Sequence, residues 1–241
     1  MKTSLVALAV LLGFASSSQA HQIWIEQEAG GNAVIRFGEF GENLRETSPG
    51  LLDSFRKPVA TLITAKGEQA ADGVKSATGF TLPFKPAEGA AIVAEDAAFP
   101  LRKFKQGEKE ITSWYYPAAR YATGVAEQPA KLTFDIVPAG QPGAFKVFFK
   151  GQPLPKAKVD IIVQSGWTRE AHTDAQGRVH FDLPWKGSYV VEASHIDRTP
   201  GERAGEPYDG INYVTTLHVI QAEGEAPIPA GPAAEPTKPK K

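Results

Sequence analysis

No cysteine occurs among the 241 residues. Disulfides, thiolate metal sites and cysteine nucleophiles are excluded together, and so is the lipid-acceptor cysteine of a bacterial lipoprotein. Neither sign of charge is in excess. The chain has 26 Lys and Arg against 27 Asp and Glu, with no basic stripe of the kind that grips nucleic acid. Long apolar runs are missing apart from residues 5–15, about half the roughly 20 residues of a membrane-spanning helix. Helical periodicity is scarce. No Ser/His/Asp set, paired carboxylates or phosphate-binding glycine loop stands out, so hydrolytic and nucleotide chemistry find no support. A non-enzymatic protein is expected.

At the N-terminus, Lys2 precedes the apolar run, and a polar stretch follows it. Ser18 and Ala20 put small residues three and one positions before a cut, as signal peptidase requires. The expectation is a signal peptide over residues 1–20, a mature chain beginning at His21, and a periplasmic location without membrane insertion. From Glu223 the chain reads EGEAPIPAGPAAEPTKPKK, with five prolines and little to bury. This predicts a disordered tail over residues 223–241.

Between the ends lie short strand-like runs bounded by turn residues, as at 33–37, 58–65 and 90–94. The second half alternates more clearly. Val159, Ile161 and Val163 share one face. Val179, Phe181 and Leu183 repeat the pattern, as do Tyr189, Val191 and Ala193. Thr173 to Gly177 reads as a turn, with Asp174 as side-chain acceptor and Gly177 free for positive φ. The fold class is therefore all-β. Two β-sandwich domains are expected over residues 21–128 and 129–222, the second immunoglobulin-like or transthyretin-like.

With no thiolate available, the five histidines are the natural transition-metal ligands. Cleavage before His21 would create an N-terminal histidine whose α-amine and ring Nδ1 chelate one ion, an arrangement favoured by Cu(II) and Ni(II). His195 ends a strand on its core-facing parity, a rigid position for a second ligand. Asp197, in what reads as a polar loop of about 15 residues after it, is a candidate outer partner. His172 and His180 read as exposed, and His218 lies in a run too uniformly apolar to assign to a face. Trp114, Tyr115, Tyr116 and Tyr121 cluster around Arg120. They read as core, or as a surface that stacks on a sugar or peptide.

An ordered set of motifs extends these readings. It comprises His21-Gln22-Ile23-Trp24, then Ser113 through Tyr121 (SWYYPAARY), Phe134-Asp135-Ile136-Val137-Pro138 and Gly151-Gln152-Pro153-Leu154. Thr173-Asp174-Ala175-Gln176-Gly177-Arg178 and a Gly187-Ser188-Tyr189 strand ending at His195 complete it. Together they resemble the periplasmic nickel/cobalt-uptake accessory family, often catalogued as a domain of unknown function. The resemblance implies an all-β protein that handles a divalent transition metal (nickel, cobalt or copper), with a metal transporter of the cell envelope as a possible partner. The expected metal site is His21, His195 and Asp197. One alternative is a metal-free sandwich that binds a peptide, sugar or envelope protein through its aromatic stretch. Another is a copper monooxygenase-like enzyme built on an N-terminal histidine and a second histidine.

Overall fold

The computed structural model describes residues 21–27, 30–56 and 58–238. The expected leader, with Ser18 and Ala20, lies outside them. Among the described residues no helix is long and apolar enough to cross a membrane. The chain is built of strands, as the alternating patterns predict. β1 (Gln22–Gln27) and β2 (Ala33–Glu39) form a hairpin, and β3 (Leu44–Arg45) returns beside β2. A single turn of 3-10 helix, Leu51–Ser54, leads to β4 (Val59–Thr64), β5 (Gly67–Asp72), β6 (Val74–Ser76), β7 (Gly79–Thr81), β8 (Ala91–Glu95), β9 (Leu101–Gln106) and the long β10 (Lys109–Ala122). The second half supplies β11 (Phe134–Pro138), β12 (Ala144–Phe149), β13 (Gln152–Pro153), β14 (Lys158–Ile162), β15 (Thr168–His172), β16 (Arg178–His180), β17 (Gly187–Asp197), β18 (Gly201–Arg203), β19 (Glu206–Tyr208) and β20 (Gly210–Gln221).

One nine-stranded sheet runs through both halves in the order β15-β14-β17-β20-β10-β8-β4-β5, with β9 also paired to β10. Its joint is the parallel pair β10–β20, where Ser113 to Ala122 lie beside Gly210 to Val219. Two smaller sheets cover it. The sheet of β1, β2, β3, β6 and β7 packs through Ile23, Ile25, Ile35 and Phe37 against Tyr115, Ala119, Tyr121 and Val214. The sheet of β11, β12, β13 and β16 packs through Phe134, Ile136, Phe145 and Val147 against Val159, Val191, Tyr213 and Leu217. Successive residues of a strand point to opposite faces. Tyr115 and Val214 therefore face one way while Tyr213 and Leu217 face the other, and the two covering sheets lie on opposite faces. The expected pair of sandwiches is present, and it shares its central sheet.

Close to the expected boundary, β10 and β11 are tied by an ion pair with no exposure to water. Arg120 donates to Asp135 from Nε (3.0 Å) and Nη2 (2.6 Å), and its remaining donors reach Gln128 Oε1 and the Pro129 carbonyl. Asp135 also accepts the Lys131 and Leu132 amides. Each charge thus keeps a full set of partners, the condition under which a buried pair is tolerated.

One expectation gives way to structure. The polar stretch after His195 is not one long loop, because β17 continues to Asp197 and β18 and β19 form a small hairpin. The described part of the tail forms no strand or helix beyond an isolated bridge at Glu225 and is mostly exposed, and a few polar contacts tether it to the body. Glu225 exchanges backbone hydrogen bonds with Pro184 and Lys186. The Gly231 carbonyl accepts from Asn43 (3.0 Å), the Ala234 amide reaches the Glu42 carbonyl, and Thr237 reaches Glu46. Its composition has little to bury, and most of these residues are indeed exposed. The polar anchors Asn43, Glu42 and Glu46 lie more than 180 residues away in sequence, out of reach of a compositional reading.

Candidate functional site

His21 stands just before β1. The antiparallel register pairs Gln22 with Gly38, so the next step outward sets His21 opposite Glu39. The ring rests on Phe37, with centroids 5.2 Å apart. Its main-chain carbonyl accepts a 2.6 Å hydrogen bond from the Tyr115 hydroxyl. Burial pushes the Tyr115 pKa up, so this hydroxyl keeps its proton and its donor role.

Two carboxylates flank the imidazole. Glu46 Oε1 lies 2.6 Å from Nε2, and Glu39 Oε1 lies 3.2 Å from Nδ1. The Glu46 side chain is 0 % exposed. Burial raises its pKa, but hydrogen bonds from Thr237 and His21 outweigh burial and hold it below the ordinary value. An ionised carboxylate only accepts, so Nε2 must carry the proton of this bond. Glu39 is different. Burial, with Glu42 and Glu46 nearby, raises it above the ordinary value despite the pull of His21. Glu192 on β17 faces the same region, and burial with the charges of Asp160 and Glu39 pushes it up to about 8. The surroundings of His21 are thus rich in carboxylates.

His195 lies on the other face of the central sheet. It pairs with Tyr213 and stacks on Phe149 (4.4 Å) and Phe134 (6.2 Å), rings of the second covering sheet. Asp197 shares that face by parity and is engaged by Lys150 Nζ (3.4 Å) and the Thr199 amide (3.0 Å). The expected set of His21, His195 and Asp197 is therefore not brought together. Parity correctly placed His195 on the core side of its strand, but the first covering sheet sits over the opposite side. The two-histidine arrangement of a copper monooxygenase is missing for the same reason.

The other histidines divide. His172 and His180 are exposed. His218 is buried, donates from Nδ1 to the Ile25 carbonyl at 2.7 Å, and leaves Nε2 without a partner. Burial lowers its pKa, so it stays neutral. The aromatic stretch splits by strand parity. Tyr115 and Tyr121 enter the first core, while Trp114 and Tyr116 pack on the second. No single ring-lined surface results.

The family model for DUF4198, a domain of unknown function, matches residues 18–197. The chain belongs to this family. No curated protein matches it. The DUF4198 span takes in His21, Glu39, Glu46, His195 and Asp197, and it ends before β20 and the tail. Glu39, Glu46, Glu192 and Thr237 escaped the sequence reading. A hairpin turning about Gly30 and Gly31 would have set Glu39 opposite His21, whereas nothing local announces Glu46, Glu192 or Thr237. Among the described residues no group of three His, Cys, Asp or Glu is placed to hold a metal ion. His21 Nδ1 and Glu39 supply two donors side by side.

Proposed function

We propose that this DUF4198 protein binds a divalent transition metal, Ni(II), Co(II) or Cu(II), in the periplasm and carries it as cargo for uptake or homeostasis. A metal transporter of the cell envelope is the partner in this reading. The observation that carries it is the setting of His21: Nε2 is tied to a buried carboxylate while Nδ1 faces a second one. A carboxylate on the far ring nitrogen fixes the tautomer and makes the near nitrogen a better ligand. With bonds of about 2.0–2.2 Å to nitrogen and oxygen, two donors 3.2 Å apart reach one ion in adjacent positions. Cleavage before His21 adds the α-amine as a third donor, and this donor is not a side chain. A cation also answers the local excess of carboxylate. The resemblance to nickel/cobalt-uptake accessory proteins points the same way.

Calorimetric titration with each metal tests the reading, using the mature protein and a form with one extra residue before His21. The extension should weaken binding at least tenfold, because the amine leaves chelate geometry. Equal affinities would dismiss the amine, and no micromolar binding by the mature form would dismiss the metal.

One observation favours the recognition reading instead. A groove of about 410 Å³ lies between β9–β10 and the ends of β17 and β20. Phe104 (50 % exposed) and Ile196 (55 % exposed) border it, with Lys109, Arg198 and Asp209 around them. Exposed apolar side chains ringed by polar ones suit a peptide or envelope protein. Peptide-array binding lost in Ile196→Asp, together with silent metal titrations, would move the assignment there.

A further inference from the structure

We infer that the C-terminal segment is a latch on the His21 site, and that its docking and cation capture are linked. The inference rests on the metal reading of His21 and adds a control to it. The segment leaves β20 and is pinned at Glu225 by two backbone bonds to Pro184 and Lys186. It then crosses toward the first sandwich, where Gly231 meets Gln164 and Asn43 and Ala234 meets Glu42. Thr237 donates from its amide to Glu46 Oε2 (2.9 Å) and from Oγ1 to Glu46 Oε1 (2.7 Å). His21 Nε2 donates to that same Oε1 at 2.6 Å. A three-part relay results: the tail sets the Glu46 carboxylate, and the carboxylate sets the imidazole.

The attachment is suited to opening. Most residues from 223 to 238 are exposed, and a few hydrogen bonds without an apolar face give a segment that opens well before the rest of the fold. The prolines Pro227, Pro229, Pro232 and Pro236 keep it extended, which lowers the entropy lost on docking. Docked, it keeps Nδ1 turned to Glu39 and the cation. Lifted, it leaves Glu46 with one donor in place of three, and the ring loses its orientation. Whatever draws the tail away then lowers affinity for the ion, a release step that needs no change in the sheets. Linkage requires the reverse as well, so a bound ion holds the tail down by the same factor.

The test uses the mature full-length protein, Thr237→Val, a chain ending at Ala234, and a control ending at Lys238. Ni(II) is the probe. Thr237→Val and the shorter chain should raise the Kd for Ni(II) about tenfold, the scale for loss of a ligand-orienting group, while the control matches the full chain. Saturating Ni(II) should slow hydrogen exchange at the Thr237 amide by a similar factor. Unchanged Kd in both variants would overturn the latch while leaving the metal site standing. If the full chain binds no Ni(II), Co(II) or Cu(II), the metal reading falls. The metal-free relay is then judged by exchange alone: the Thr237 amide should be protected, and Glu46→Gln should release it. An unprotected Thr237 amide in the full chain would overturn the relay whatever the metal result.

Discussion

His21 just precedes β1 of the first covering sheet and His195 lies near the end of β17 in the central sheet, and their surroundings differ in kind. Around His21 both ring nitrogens meet carboxylates, one of them fully buried. Around His195 the rings of Phe149 and Phe134 lie beside the imidazole. The first setting orients a base and leaves a nitrogen to work with; the second fills space with an imidazole. Strand parity places a side chain on a face, and the covering sheet decides what that face does.

The largest expected effect comes from breaking the buried pair that ties the central sheet to the second covering sheet. Arg120→Met leaves Asp135 buried without its partner and should cost about 3–5 kcal/mol of stability, read from urea unfolding. A loss below about 1 kcal/mol would show that the second covering sheet stays docked without this pair. Next is the contrast between the histidines. His21→Ala should weaken Ni(II) or Cu(II) binding by about a hundredfold, roughly 2.7 kcal/mol, whereas His195→Ala should change it less than twofold. Equal losses would mean that the two side chains share an ion after all. Binding through His21 should also weaken as pH falls, because protons compete with the ion for its nitrogens. Binding that held constant down to pH 5 would exclude them as ligands.

A smaller effect concerns Glu192, which lies on the His21 face. Its folded pKa of about 8 lies above the ordinary 4.5, so folding favours the protonated acid. That contribution is complete below about pH 4.5 and is lost as pH climbs toward 8. Glu192→Gln should therefore match wild type near pH 4 and exceed it at pH 9 by roughly 1–2 kcal/mol, a range discounted for partial exposure. A difference independent of pH would place Glu192 in water. Smallest is His195→Leu, which trades ring contacts for aliphatic packing and should cost about 0.5–1.5 kcal/mol. Thermal unfolding would register it.

Much of the fold was legible because its signals are local. The alternation at Val159, Ile161 and Val163 reappears as one buried face. The Thr173–Gly177 turn forms as its residues demand, with Asp174 accepting the Gln176 and Arg178 amides and Gly177 at φ +73°. The shared sheet was not legible, since the β10–β20 pair joins segments about a hundred residues apart and nothing in either names the other. The same holds for the site. His21 stood out from its place after an expected cleavage signal, and Glu39 was within reach of hairpin register. Glu46 and Thr237 meet only through tertiary structure, 191 residues apart.

The parallel joint has a consequence in time. The strand bearing His21 is fastened from behind by β20, through Thr216 to the Ile23 carbonyl and His218 to the Ile25 carbonyl, each across 193 residues. Contacts of such separation form late, after the closure entropy of the intervening chain has been met. As the polypeptide is synthesised from its N-terminus, the first 120 residues have no neighbour for one edge of β10 until residues 210–221 arrive. The histidine is among the first described residues to be made and among the last to be set in place. A truncated or stalled chain would expose an open sheet edge, open to pairing with other chains, and a slack N-terminal strand.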